Sequence, residues 1–421
     1  MPKTEDVLQA SGRSEMVDFG LFPHSQPMRE WPILALLMAI QFIYILDYII
    51  VMPMGPQLMR LFEITPQQLG ILISVYTFSA GIFGFLAAFF IDRFDRKLAV
   101  VVICGGFSVA MLLCALAYDY ESLLAARVAA GAFGGVMNAI VFSVIADLIP
   151  ENRRGSATGM VMSSFPLASV IGVPVCLFLV GMLNWRIPFF LLAIMGLFVV
   201  IACLRILPSM RDHLVHHLEK NPIRQFKRIF SEQSNLVAVV LIAVLMFAGF
   251  TVIPFIGVYM VVNAGMKEAE LPYLYFFGGL LTFFTANLIG RLADRYDKRK
   301  LFYVIAALSL IPILWVTHLS RVPLWQMLIV TTLFMILVTG RFIPIMAMIT
   351  INVAPQLRGS FMSLISSAQQ ISAGLASLVA GSIIGLSATG EMTNFGVVGI
   401  VASIATILCI LLVIKFRAVE H

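Results

Sequence analysis

The chain has 421 residues, of which 60% are hydrophobic and only 12% charged, with a mean hydropathy of +0.98. A water-soluble protein carries about 25% charged residues, so this surface is built for lipid. The net charge of +6 therefore does not point to nucleic acid; what carries information is where the charges sit.

Residues 1–31 are polar and mixed in charge, without the apolar core and small-residue cleavage site of a secretory signal. They are expected to form a cytoplasmic tail, with the first apolar run doing the targeting. A hydrocarbon core of about 30 Å takes about 20 residues of helix. Runs of that length lie near 33–58, 69–91, 98–118, 122–148, 155–182 and 187–208, giving a first six-helix bundle over 32–208. A polar linker follows at 209–234. Six more spans, near 235–262, 270–291, 300–317, 323–352, 359–385 and 393–415, give a second bundle over 235–416, with residues 417–421 as a short tail. The expected fold class is all-α integral membrane: twelve transmembrane helices in two pseudo-symmetric six-helix bundles.

Two charged loops mark the duplication. Residues 91–97 read Ile91-Asp92-Arg93-Phe94-Asp95-Arg96-Lys97, and residues 293–299 read Ala293-Asp294-Arg295-Tyr296-Asp297-Lys298-Arg299. The offset of 202 between Asp92 and Asp294 nearly equals the 204 between Arg154-Gly155 and Arg358-Gly359. Matched punctuation in register is the trace of an internal repeat. Of the 28 lysines and arginines, 22 fall on the N-terminal side of the predicted membrane and four on the other. That bias predicts both termini in the cytoplasm of a cell (cytoplasmic or inner) membrane.

The linker holds Arg211, Lys220, Arg224, Lys227 and Arg228, suited to a helix lying on anionic headgroups. It also carries Asp212, His213, His216 and His217, a spacing that could gather metal ligands; a solvated linker explains them as well, and no metal or cofactor is expected. The five cysteines, Cys104, Cys114, Cys176, Cys203 and Cys409, all lie in apolar runs without paired spacing and read as small core residues.

An ionisable side chain inside a membrane is costly and by default functional. Asp47 is the one acid well inside a predicted span; Arg127 and Arg341 are the bases. Asp47 lies about 24 Å up the first helix from Trp31, and Arg127 about 30 Å from the opposite end of a helix running the other way. Both belong to the outer half of one bundle, so a direct or water-bridged Asp47–Arg127 pair is expected. Burial and a guanidinium act oppositely on a carboxylate's proton affinity, so a partner that comes and goes makes a proton switch. A static structural pair is the alternative. Aligning the halves on Pro53 and Pro254 puts Ala248 opposite Asp47, so the second half lacks the acid.

Arg127, Gly131, Gly134, Gly135 and Asn138 form one stripe of the fourth span. Arg341, after Gly340 and before Pro344, could hold an anionic substrate group or make a fixed structural pair. Span eleven carries Ser363, Ser367, Gln370, Gly374, Ser377 and Gly381 on one face, as helix packing would use, with Gln369 and Gln370 as cavity groups. Gln41 on span one joins Asn138 and Arg341 as a candidate for the substrate cavity.

Together these features resemble the major facilitator superfamily over about residues 32–416. Its loop between spans two and three has the form Gly-x-Leu-Ala-Asp-Arg-x-Gly-Arg-Arg. The run from Gly290 to Arg299 matches except that Asp297 replaces the second Gly; in the first copy Ala88 and Asp95 replace the two glycines, while Asp92, Arg93, Arg96 and Lys97 match. Arg127 with Gly131 is similar to the family's fourth-span Arg-Gly motif, and Asp47 to the first-span acid of its drug-export members. The span-five antiporter motif is only loosely echoed by Pro166 and Gly172-Val173-Pro174. The resemblance implies a cytoplasmic gate of Asp92, Arg93, Arg96, Asp294, Arg295, Arg154 and Arg358, with Asp92 engaging the start of span eleven. It implies a proton-antiporting exporter of a small organic, amphipathic or drug-like solute, working as a monomer by alternating access. A facilitator, or a sugar, lipid or siderophore exporter without Asp47 coupling, is the alternative. An enzyme is not expected, because no histidine lies deep in a span and no nucleophile–base cluster is apparent.

Overall fold

The computed structural model describes residues 30–91, 94–210, 228–351 and 358–415. The gate residues Asp92 and Arg93, the linker's Asp212, His213, His216 and His217, and the side chain of Arg358 lie outside the described set.

The first half runs α1 (Glu30–Ile50), α2 (Gly55–Phe62), α3 (Pro66–Phe90), α4 (Arg96–Leu116) and α5 (Tyr120–Leu148). It continues through α6 (Glu151–Met162), α7 (Ser164–Leu167) and α8 (Val173–Met182) to α9 (Ile187–Ile206). The second half runs α10 (Gln233–Phe250), α11 (Ile253–Val262), α12 (Leu271–Arg295), α13 (Lys298–Thr317), α14 (Leu324–Gly340) and α15 (Phe342–Ile351). It ends with α16 (Arg358–Ile383) and α17 (Phe395–Lys415), separated by a two-residue ladder of β1 (Gly385–Leu386) with β2 (Met392–Thr393).

Local chemistry sets the boundaries. Thr65, Asp95, Asp119 and Asp297 cap α3, α4, α5 and α13, their side chains accepting from backbone N–H groups of the first turn. Spans one and seven break at matching places, after Ile50 and after Phe250, where Pro53 and Pro254 cannot continue the hydrogen-bond ladder. Span five is irregular: α7, containing Pro166, passes into a π-helical turn at Ala168–Gly172 before Pro174 starts α8.

Eleven of these runs are long and apolar enough to cross a membrane. The twelfth, α16, has 26 residues and the length to do so, but its Ser, Gln and Gly stripe lowers its apolarity. That stripe packs on α3. A Cβ added to Gly70 would lie 2.6 Å from the Ser377 carbonyl oxygen, and one on Gly374 would lie 2.6 Å from Thr77 Oγ1. Ser74 Oγ donates to the Gly374 carbonyl at 2.8 Å. Small residues let two membrane helices approach closely, so the face that lowers hydropathy is what joins the halves.

α5 meets α3 in the same way: a Cβ on Gly131 would lie 2.3 Å from the Tyr76 carbonyl oxygen, and one on Gly135 would lie 2.1 Å from that of Ala80. Gly135→Val is therefore expected to cost at least about 1–3 kcal/mol through overpacking. Gly159→Ala, in α6 with nothing within 4 Å of the new methyl, should instead gain up to about 1 kcal/mol of helix propensity. Thermal unfolding of the two purified variants checks the opposite signs.

The halves are also pinned at the end opposite to the start of α1. A Cβ on Gly55 would meet Val258 at 2.7 Å, and one on Gly257 would lie 3.5 Å from Pro53 Cα. There Arg60 donates to both carboxylate oxygens of Glu268. The ion pair holds Arg60's own proton more tightly than usual, chiefly through the hydrogen bond to Glu268. Arg60 is largely exposed, so the latch is worth at most about 1 kcal/mol, a factor of about five in an equilibrium. In a Gly257→Cys protein, Glu268→Ala should raise the rate of labelling by a membrane-impermeant maleimide by up to that factor.

Candidate functional site

The site is built on the face of α1 that carries Gln41, Tyr44 and Asp47, three and six residues apart and so aligned along a helix. Helix α5 runs antiparallel beside it and answers rung by rung. Arg127 Nη1 donates to Asp47 Oδ1 at 2.5 Å, with both side chains fully buried. Two turns along α5, Gly134 leaves room for the Tyr76 hydroxyl and the Tyr44 ring, which a Cβ there would meet at 2.9 and 3.4 Å. On the third rung Gln41 Nε2 donates to Asn138 Oδ1 at 2.9 Å. A carboxylate and a guanidinium in lipid each cost several kcal/mol alone, and pairing removes most of that cost.

Aromatic rings wall the pair. The Arg127 guanidinium lies 4.1 Å from the centroid of the buried Tyr76 ring, a cation–π contact. Tyr48 stands 6.1 Å from Tyr76 and 5.8 Å from Phe250 of α10, bringing the second half to the site. From α16, Gln370 Nε2 donates to the Tyr44 hydroxyl at 2.7 Å. The amide oxygens of Gln41 and Gln370 are buried without a hydrogen-bond partner among the described residues. A bound solute could satisfy both, since a buried orphan acceptor costs about 1–3 kcal/mol.

The irregular part of span five closes another side. A Cβ on Gly172 would lie 2.9 Å from Leu46 of α1, and Ser169 lies against Gly279 of α12 from the second half. Ser164 Oγ donates to the Met38 carbonyl at 2.9 Å.

Other predicted residues are placed elsewhere. Gln369 Nε2 points to Met346 Sδ at 3.9 Å rather than to the groups on α1. Arg341 is fully buried and bonds to Thr406 of α17 and Ser309 of α13, inside the second half. In the loop copies, Asp95 and Asp297, which stand at the second glycine of the family pattern, are the caps of α4 and α13; they replace a turn glycine with a side chain that satisfies backbone N–H groups. Asp95 also accepts from Ser209 Oγ at 2.5 Å and Met210 N at 3.3 Å. Arg96 is buried and donates to Asp147 of α5 at 2.8 Å, while Arg154 Nε donates to the Ile149 carbonyl at 2.9 Å. Asp294 and Arg295 are exposed.

A family model described as Major Facilitator Superfamily matches residues 37–377 and 288–421. The chain belongs to that superfamily. Among its relatives, the uncharacterized MFS-type transporter YwfA of Bacillus subtilis (strain 168) is 26% identical over 349 residues, covering 80% of this chain and 82% of that one. A probable sugar efflux transporter of Helicobacter acinonychis (strain Sheeba) is 23% identical over 239 residues, 56% of this chain and 60% of the relative. A solved D-xylose-proton symporter superposes with a TM-score of 0.74 at 13% identity, covering 90% of this chain and 97% of that chain, and supports the fold. This major facilitator is a multi-pass membrane transporter for a small molecule, not an enzyme.

Sequence reasoning did not reach Tyr76, Tyr48 and Phe250. Tyr44 could have been found, three residues before Asp47 and therefore on its face; Tyr76 gives no sign in the sequence, because only the α3–α5 crossing brings its ring over Arg127.

Proposed function

We propose that this major facilitator is a secondary active exporter that exchanges protons for a small organic, amphipathic or drug-like solute. Both termini face the cytoplasm, the two six-helix units over 32–208 and 235–416 rock about a site near mid-membrane, and the working unit is a monomer. The observation that carries the reading is the fully buried Asp47–Arg127 pair, with the guanidinium over the Tyr76 ring and with Tyr44 and Tyr48 of α1 meeting Gln370 and Phe250 of the second half. Protonating Asp47 removes one partner's charge, frees the guanidinium and loosens the contact between α1 and α5. Solute then occupies the space beside Gln41, Asn138, Tyr44 and Gln370, where its polar groups satisfy the amide oxygens. The loops around Arg96, Arg154, Asp294, Arg295 and Arg358 form the cytoplasmic gate.

A second reading, a sugar exporter or facilitator that does not use Asp47 for coupling, is favoured by the relative named a probable sugar efflux transporter and by the amides of the site. Proteoliposomes under an imposed pH gradient separate the two. Gradient-driven uptake of a lipophilic cation or amphipathic acid, lost in Asp47→Asn, supports antiport. Downhill flux of a sugar such as xylose, insensitive to gradient and mutation, supports the second reading.

A further inference from the structure

Of the three buried arginines among the described residues, Arg96 and Arg127 are each paired with a carboxylate and Arg341 is not. Arg341, at the break between α14 and α15, has two neutral hydroxyls: Nη1 donates to Thr406 Oγ1 at 2.7 Å and to Ser309 Oγ at 3.3 Å. Both hydroxyl protons are committed to backbone carbonyls, Ser309 to Ala306 and Thr406 to Ala402, so each offers the guanidinium only a lone pair. Nε and Nη2 are buried with no hydrogen-bond partner, and no carboxylate among the described residues pairs with Arg341. These two nitrogens share one edge of the guanidinium, the fork that takes an anion with two parallel N–H bonds.

What faces that fork follows from the internal repeat. The alignment that brings Pro53 onto Pro254 places Ala248 and Gly249 where the first half has Asp47 and Tyr48. A Cβ added to Gly249 would lie 3.9 Å from Arg341 Nη2. The residue beside the guanidinium thus directly follows the position equivalent to the acid, neither Ala248 nor Gly249 carries a charge, and the chain leaves a buried positive charge with two unused donors. A buried cation without a counter-charge is costly, and the counter-charge is not in the described chain.

We propose that the Nε–Nη2 edge of Arg341, with Gly249 beside it, is a binding site for a small monovalent anion, either a halide or a small carboxylate. The site lies within the second half, apart from the groups on α1, and does not depend on the transport reading. The anion completes in the second half the charge balance that Asp47 supplies in the first.

The test uses purified full-length protein in detergent at constant ionic strength, with the bulky anion gluconate replaced stepwise by chloride or by acetate. Wild type is expected to show a saturable rise in Tm; a rise with chloride identifies a halide site, and a rise with acetate alone a carboxylate site. Gly249→Asp provides an internal counter-charge, and its Cβ meets Val338 and Ile253 only at ordinary contact distances of 3.4 and 3.6 Å. That variant should match or exceed wild type in gluconate and lose the anion-dependent shift. Arg341→Gln should lose the shift as well and is a second route if Gly249→Asp does not fold. A wild-type Tm indifferent to both anions, or a shift of equal size in either variant, overturns the proposal.

Discussion

Asp47→Asn is expected to leave the protein folded and able to equilibrate solute downhill, while abolishing accumulation driven by a pH gradient. If one proton exchanges for one neutral solute, a gradient of about 1 pH unit supports up to about a tenfold concentration ratio, since each corresponds to about 1.4 kcal/mol. The variant should hold a ratio near one. Its fold survives because Asn retains an oxygen to accept from Arg127 Nη1, and because the guanidinium keeps the face of Tyr76, worth about 2 kcal/mol when desolvated. Time courses of labelled solute in reconstituted vesicles, with and without the gradient, check both halves of the expectation. A tenfold ratio retained in the variant would remove Asp47 from the coupling.

Arg127→Gln is expected to be the more damaging change to stability. It removes the charge that balances Asp47 and the cation over Tyr76, leaving a carboxylate in a fully buried place. Breaking a buried pair from one side costs about 3–5 kcal/mol, whereas removing both charges together can be nearly neutral. The double variant Asp47→Asn with Arg127→Gln should therefore recover most of the stability lost in Arg127→Gln alone, although it restores no coupling. A thermal double-mutant cycle measures this directly. Simple additivity would mean that the two side chains do not balance one another, and the switch would lose its basis.

Much of this arrangement was legible in the sequence because its causes are local or periodic. Apolar runs gave spans, and their near-equal spacing with the repeated charged loops gave two halves. The scarcity of charge inside the spans isolated Asp47, Arg127 and Arg341 as residues needing an explanation. Asp47 and Arg127 could be placed at similar depth from helical rise alone, and their contact follows because few other groups at that depth can neutralise either.

What the sequence hid depends on crossings between helices distant in the chain. Tyr76 and Phe250 join the site only through the packing of α3 on α5 and of the second half on the first. Gln370 was one of two adjacent amides on α16; the helix turns it toward Tyr44 and turns Gln369 toward Met346. Arg341 has the residue type and depth of a substrate-binding group, yet its hydrogen bonds run to α13 and α17 within its own half. One glycine of the loop motif in each copy looked like a loss until the replacing aspartates proved to be helix caps. Span eleven showed the reverse: its polar stripe weakens the apolar signal and at the same time makes the close seam with α3.

Under the proposed function, solute movement and proton movement are coupled through the Asp47–Arg127 pair. The most direct test of this coupling is proton flux in proteoliposomes containing a trapped pH dye, started by adding whichever member of a panel of lipophilic cations, sugars and amphipathic acids the wild type carries. Wild-type vesicles are expected to show a solute-dependent rise in luminal pH as protons leave while solute enters, and Asp47→Asn vesicles none at equal protein and intact downhill flux. Solute movement without any pH change in wild type, or an undiminished pH change in Asp47→Asn, would contradict the coupling.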